Sequence, residues 1–96
     1  MQKVQAQTLK VGDVIMPPAR EVRLWMRRDL QERNLPESAL YLTVTEIYEV
    51  EADKRGRWLL VKTDQSAEWN AGRQNPLSFN FKVRPETPWP LMSAAS

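Results

Sequence analysis

The side chains with the most evident chemistry in this sequence are arginines. Arg20, Arg23, Arg27 and Arg28 fall within the stretch Arg20 to Arg33, which alone reads as a long amphipathic helix. At about 100° per residue they share one arc with Leu24, opposite an arc of Val22, Trp25, Met26 and Leu30. A planar guanidinium recognises carboxylates and phosphates through a fork of N–H donors, so the pattern points to binding rather than to bond breaking. Arg20 and Arg23 lie in the first turns, where the positive end of the helix dipole disfavours cations, so helix stability does not account for them. A leucine among arginines fits a protein surface better than a nucleic acid. Arg20, Arg23, Leu24, Arg27 and Arg28 are therefore the expected partner-binding set, and an acidic protein surface is the expected partner.

A secondary basic site is formed by Lys54, Arg55 and Arg57 around a turn, next to Trp58, and by Lys82 and Arg84 on a later strand. Charged hairpin tips often serve only solubility and the blocking of edge pairing. Strand faces rich in cations contact single-stranded nucleic acid when aromatic rings share the face. Here Phe79 and Phe81 are expected on the opposite face from Lys82 and Arg84, which weakens that reading. Binding of RNA or single-stranded DNA, with the helix arginines and Lys54, Arg55 and Arg57 on phosphates, is the alternative function.

Catalytic chemistry has little to work with. The chain contains no histidine and no cysteine, which removes zinc sites, Cys-His pairs and imidazole general bases. The carboxylates Asp13, Glu46, Asp53, Asp64 and Glu68 remain, without a paired spacing and without a glycine-rich phosphate loop. A protein that is not an enzyme, with no cofactor and no metal, is expected. With 14 basic and 12 acidic side chains the net charge is only +2, so any electrostatic role is local. No apolar run approaches the roughly 18 residues of a membrane span, and Met-Gln-Lys-Val-Gln-Ala-Gln lacks a signal-peptide core, so a cytoplasmic protein with no membrane contact is expected.

The elements that position these residues fit one domain of 96 residues, with residues 1–8 and 91–96 expected as flexible ends, or residues 1–8 as a short edge strand. Leu9-Lys10-Val11-Gly12-Asp13-Val14-Ile15-Met16 reads as strand one. Its Leu-x-Val-Gly-Asp-Val-Ile pattern resembles the opening strand of SH3-like small barrels. Pro17-Pro18 ends the strand, Pro18 suits the first turn of the helix, and Asn34 with Leu35-Pro36 stops it. Residues 39–51 alternate, with Leu40, Leu42, Val44, Tyr48 and Val50 on the apolar face. Glu46 and Ile47 break the alternation and predict a bulge.

Asp53 to Gly56 is a hairpin turn, and the continuous run Trp58-Leu59-Leu60-Val61 needs cover on both faces, which the helix is expected to supply. Residues 64–76 read as a loop with one short turn near Trp69. Leu77, Phe79, Phe81 and Val83 point inward from the last clear strand. The Pro85 to Pro90 tail is extended; its P-x-x-P spacing suits a polyproline ligand, but burial of Trp89 is the favoured reading. The fold expected is mainly β (α+β), a small SH3-like antiparallel barrel or bent sheet with one amphipathic helix inserted after strand one; an open sheet with the helix on one face is the alternative.

Burying Trp25 removes roughly 150–250 Å² from water, at about 25 cal/mol per Å², whereas the surface pairs Asp29–Arg33 and Arg28–Glu32 are worth roughly 0.3–0.5 kcal/mol each. Trp25 is thus expected to dock the helix. The docked part should end near Leu30, leaving Asp29 and Arg33 exposed.

Overall fold

The computed structural model describes residues 2–71 and 78–95. Among them six strands form one antiparallel sheet: β1 (Gln2–Gln5), β2 (Val14–Ile15), β3 (Leu42–Asp53), β4 (Gly56–Gln65), β5 (Ser78–Val83) and β6 (Pro88–Ser93). Their spatial order is β1-β6-β2-β3-β4-β5. Helix α1 (Arg20–Glu32) follows β2, a short α2 (Ala67–Asn70) follows β4, and 3-10 turns occupy Ala6–Thr8 and Glu37–Leu40. The mainly β class agrees with the sequence, and the helix follows the expected first strand, but that strand shrinks from residues 9–16 to Val14–Ile15 and is second in the chain, after β1. The sheet stays open, since no described residues pair β1 with β5. It is nevertheless strongly curled: Phe81 on edge strand β5 meets Trp89 on β6 edge to face at 5.3 Å.

Gln2–Gln5 forms β1 at the sheet edge, the short edge strand that residues 1–8 allowed, and the described part of 91–96, expected as a flexible end, supplies the end of β6. The reason lies in the tail. Trp89 is fully buried with Ile15, Leu42, Val44, Leu59 and Val61, and that anchor brings Pro88 opposite Gln5 and Leu91 opposite Gln2. Of the P-x-x-P pair, Pro85 is buried and Pro88, though exposed, is held in β6 opposite Gln5, so the polyproline-ligand reading gives way to a structural one. Proline cannot donate to a ladder, and Pro90 only accepts, from the Met16 N–H at 3.2 Å.

The bulge expected near Glu46 lies between Val44 and Glu46, where the β3–β4 register slips. Its consequence is larger than the sequence suggested. One extra residue inverts the facing of everything beyond it: Ile47 turns in to pack on the core, while Tyr48 turns out, 48% exposed. Val50 follows Tyr48 in phase. The inner face therefore takes Leu59, Val61 and Thr63 from β4 opposite Val83, Phe81 and Phe79 from β5. Leu77, expected to point inward, lies outside the described residues, as do Gly72 and Asn75-Pro76 of the expected loop.

Helix α1 belongs to a second cluster. Met26 and Leu30 are buried with Met16, Ala39, Leu40 and Trp69. The helix thus packs on the Glu37–Leu40 turn and on Trp69, not over the Trp58–Val61 run as expected. Trp69 is set by α2: Ser66 caps it, its hydroxyl accepting from the Trp69 N–H at 3.2 Å and donating to the Ala39 carbonyl at 3.0 Å. The exit of α1 follows the sequence closely. Asn34 takes φ 56°, its N–H bonds Gln31 O, and Leu35 N–H reaches back to Leu30 O at 2.9 Å, the paired bonds of a Schellman cap. The start differs, because Ala19 is the cap residue and Pro18 lies before the helix rather than in its first turn.

Candidate binding surfaces

The helix arginines divide into two groups. Arg23 is half-buried, and its Nη1 donates to the carbonyls of Pro17 at 2.7 Å and Pro18 at 2.9 Å. Arg27 turns to Glu37, with Nε and Nη2 both 3.0 Å from Oε1. That exposed bridge is worth about 0.2–1 kcal/mol. Arg20 and Arg28 are exposed and make no side-chain hydrogen bond or ion pair among the described residues. Leu24 is 46% exposed and lies between them at four-residue spacing.

Trp25 is the main correction: it is 50% exposed and does not dock the helix. It leans on Trp69, ring centroids 6.1 Å apart. The buried arc is centred on Met26, and each residue turns the helix by about 100°, so Trp25 falls at its margin. Arg33, seven residues after Met26, falls almost on the centre line. Accordingly Arg33 is half-buried rather than exposed, with Nη1 3.3 Å from Asp29 and Nη2 donating to Trp69 O at 2.8 Å, and the docked face runs past Leu30. The surface offered to solvent is therefore Arg20, Leu24, Trp25 and Arg28.

The secondary basic residues come together more closely than their positions in the chain imply. Trp58 lies on the outer face of β4, opposite Val50. Arg84 sits over its ring at 4.1 Å and Lys82 at 5.0 Å, and Arg84 also donates to the Arg57 carbonyl at 3.3 Å. The indole N–H donates to Asp53 Oδ2 at 3.0 Å, and Asp53 Oδ1 accepts the Arg55 N–H at 2.8 Å. The Trp58 N–H, then the Arg55 N–H, hold the Asp53 carboxyl below its ordinary value of 3.8, with Lys82 and Arg84 adding attraction.

Gly56 closes the turn at φ +109°, and a Cβ there would come within 3.0 Å of Arg84 Nη1, so glycine serves both the turn and the stack. Arg57 pairs with Glu49 at 2.7 Å. Lys54 and Arg55 are exposed at the tip. A second ring shares this outer face. Tyr48 lies opposite Leu60, which lies opposite Lys82; Lys62 rests 5.6 Å over the tyrosine ring, whose hydroxyl donates to Glu46. Cation contacts at exposed rings are worth about 0.5–1 kcal/mol each, enough to order the side chains and small enough to be exchanged.

No protein-family model, curated protein or solved structure matches this chain.

The carboxylates that sequence reasoning raised as catalytic candidates are accounted for differently. Asp13 is 4% exposed and accepts the N–H groups of Lys10 at 2.8 Å and Ala95 at 2.7 Å, so it clasps the C-terminal segment to the loop before β2. Glu46 takes the Tyr48 hydroxyl and lies 3.9 Å from Lys62. Asp64 and Glu68 are exposed. Among the described residues there is no pocket and no cluster of acidic side chains that would hold a metal ion. No described helix is long and apolar enough to cross a membrane.

Sequence reasoning placed Trp58 beside the basic turn without assigning it a role, and missed Tyr48. The expectation that the Trp58–Val61 run needs cover on both faces hid the outward facing of Trp58, which alternation with the buried Leu59 and Val61 gives. The signal for Tyr48 was hidden by the bulge, because period-two counting carried it to the wrong side.

Proposed function

We propose that the protein is a non-catalytic, cytoplasmic binding module, an adaptor or accessory subunit, that docks an acidic protein surface against the outer face of α1. The observation supporting this reading most is the exposure of two large apolar side chains, Leu24 and Trp25, between the unpaired cations Arg20 and Arg28. Tryptophan and arginine are the side chains most often found at the energetic centre of protein interfaces, and rim cations steer an acidic partner into register. Arg23 and Arg27 take a supporting role, the first tying α1 to the Pro17-Pro18 segment and the second to the Glu37 turn. A phosphate-binding role for this helix is the weaker reading, because only Arg20 and Arg28 keep their donors free for phosphates. For the scaffold, an SH3-like barrel is part of the proposal, and the curl that brings Phe81 to Trp89 supports only the strong bending that such a barrel needs. Slow exchange of outward amides on both β1 and β5 would favour closure, and fast exchange the open sheet.

The test is site-specific photo-cross-linking in the cell, with the reactive side chain at position 24 and, as control, at position 54. The expected result is one protein species captured from position 24 alone, unchanged by nuclease treatment. Equal capture from both positions, or capture that disappears with nuclease, contradicts the proposal.

A further inference from the structure

The outer face of β3, β4 and β5 carries a second surface that the helix reading does not use. Register places Tyr48, Leu60 and Lys82 in one cross-strand row, with Val50 and Trp58 in the next and Glu46, Lys62 and Asn80 on the other side. Tyr48 and Trp58 are thus diagonal neighbours, about 7–8 Å apart along the sheet, a span suited to successive bases of an extended strand. Each ring has a cation over it: Lys62 on Tyr48, Lys82 and Arg84 on Trp58. Lys54 and Arg55 extend the basic surface at the tip.

Most of the neighbouring carboxylates are already engaged. Glu49 holds Arg57, Asp53 holds the Trp58 N–H, and Glu46 holds the Tyr48 hydroxyl. Glu51 is exposed and opposes an anion. Rings that share a strand face with lysine and arginine are the arrangement by which sheet surfaces take single-stranded nucleic acid, bases stacking on rings and cations following the phosphates.

We infer that this face binds single-stranded RNA or DNA without sequence preference, Trp58 and Tyr48 stacking two bases and Lys54, Arg55, Lys62, Lys82 and Arg84 contacting phosphates. On binding, Lys82 and Arg84 exchange the Trp58 ring for the backbone, and the indole stays fixed through its bond to Asp53. An acidic protein surface would engage the cations but does not present a regular series of flat rings alternating with anionic groups, as consecutive bases and phosphates do. Two rings on one face beside these cations therefore fit a single strand better.

The experiment is fluorescence anisotropy of labelled oligo-dT and oligo-U, about a dozen nucleotides long, with the full chain at low salt. Saturable binding is expected, its log-log salt slope near −0.7 per phosphate engaged. Trp58→Phe should bind close to wild type, Trp58→Ala and Tyr48→Ala at least about tenfold more weakly, and Lys82→Gln with Arg84→Gln should flatten the salt slope. Arg20→Glu with Arg28→Glu should leave oligonucleotide binding unchanged, which separates this surface from the helix. Because Trp58→Ala also removes the Asp53 bond, Tyr48→Ala, which leaves that bond in place, carries the stacking argument if the hairpin loosens. Absence of binding, equal affinity for polyglutamate, or affinity indifferent to Tyr48→Ala and Trp58→Ala would overturn the inference.

Discussion

Arg23 gives the sharpest test of how the basic helix is built. It lies in the first turn of α1, where its charge opposes the dipole by about 0.3–1 kcal/mol, yet its guanidinium bridges the Pro17 and Pro18 carbonyls at 2.7 and 2.9 Å. Hydrogen bonds from a charged donor contribute about 1.5–3 kcal/mol. One nitrogen serves both carbonyls and the side chain is half-buried, so the lower part of that range applies and still exceeds the dipole term. Arg23→Met keeps the stem length and helix propensity while removing the donors. It should destabilise by about 1–2 kcal/mol, read as a melting point lower by roughly 4–16 °C for a domain of this size. Arg20→Met and Arg28→Met should stay within about 0.5 kcal/mol of wild type. Arg23→Lys should recover only part of the loss, because the ammonium sits on a shorter reach and is more strongly hydrated than a guanidinium. Urea and thermal unfolding followed by circular dichroism measure all four. If Arg23→Met matched Arg20→Met, or stabilised the protein, the carbonyl bridge would carry no net energy and Arg23 would return to the free basic face.

Further outcomes follow from the same packing. Met26→Ala should lose about 2–5 kcal/mol, whereas Trp25→Ala, half exposed and so with only half of its roughly 150–250 Å² still to lose, should lose at most about 2–3 kcal/mol at ~25 cal/mol per Å² and less than Met26→Ala; chemical denaturation giving the reverse order would restore Trp25 as the docking residue. Asp13→Ala strands the Lys10 and Ala95 N–H groups and should cost about 1–3 kcal/mol, with amide exchange rising first at Ala95. The folded Asp53 carboxyl titrates below 3.8, so its stabilisation of the hairpin is complete above that pH and is lost as pH falls through the lower folded value. The Trp58 indole N–H resonance should therefore shift with a midpoint below 3.8, and Asp53→Asn should abolish the transition.

Local chemistry was legible in the sequence wherever one residue type dictates one conformation. Asn34 before Leu35-Pro36 stops α1 as read, Gly56 closes the hairpin, and the alternation of Phe79, Phe81 and Val83 points them into the core. The tail's buried tryptophan was legible too, since a small curled sheet needs closing. What escaped were the quantities set by tertiary geometry. The bulge at Glu46 was visible, but its effect on Tyr48 and Val50 depends on which strand keeps register with β4. The azimuth of α1 depended on Trp69, a residue in a segment without periodicity, and rotating the helix toward it exposed Trp25 while drawing Arg23 and Arg33 inward. The two basic groups near Trp58 are distant in the chain, and only strand pairing places Lys82 and Arg84 over that ring.

The proposed partner-binding face comprises Arg20, Leu24, Trp25 and Arg28. Its most direct test is the equilibrium dissociation constant for the purified protein captured from position 24. It would be measured by calorimetry against wild type, Arg20→Glu with Arg28→Glu, and Lys54→Glu with Arg55→Glu. Weakening of at least about tenfold for the helix pair, with less than about twofold for the hairpin pair, is the predicted result. Binding unaffected by the helix pair and lost with the hairpin pair would contradict it.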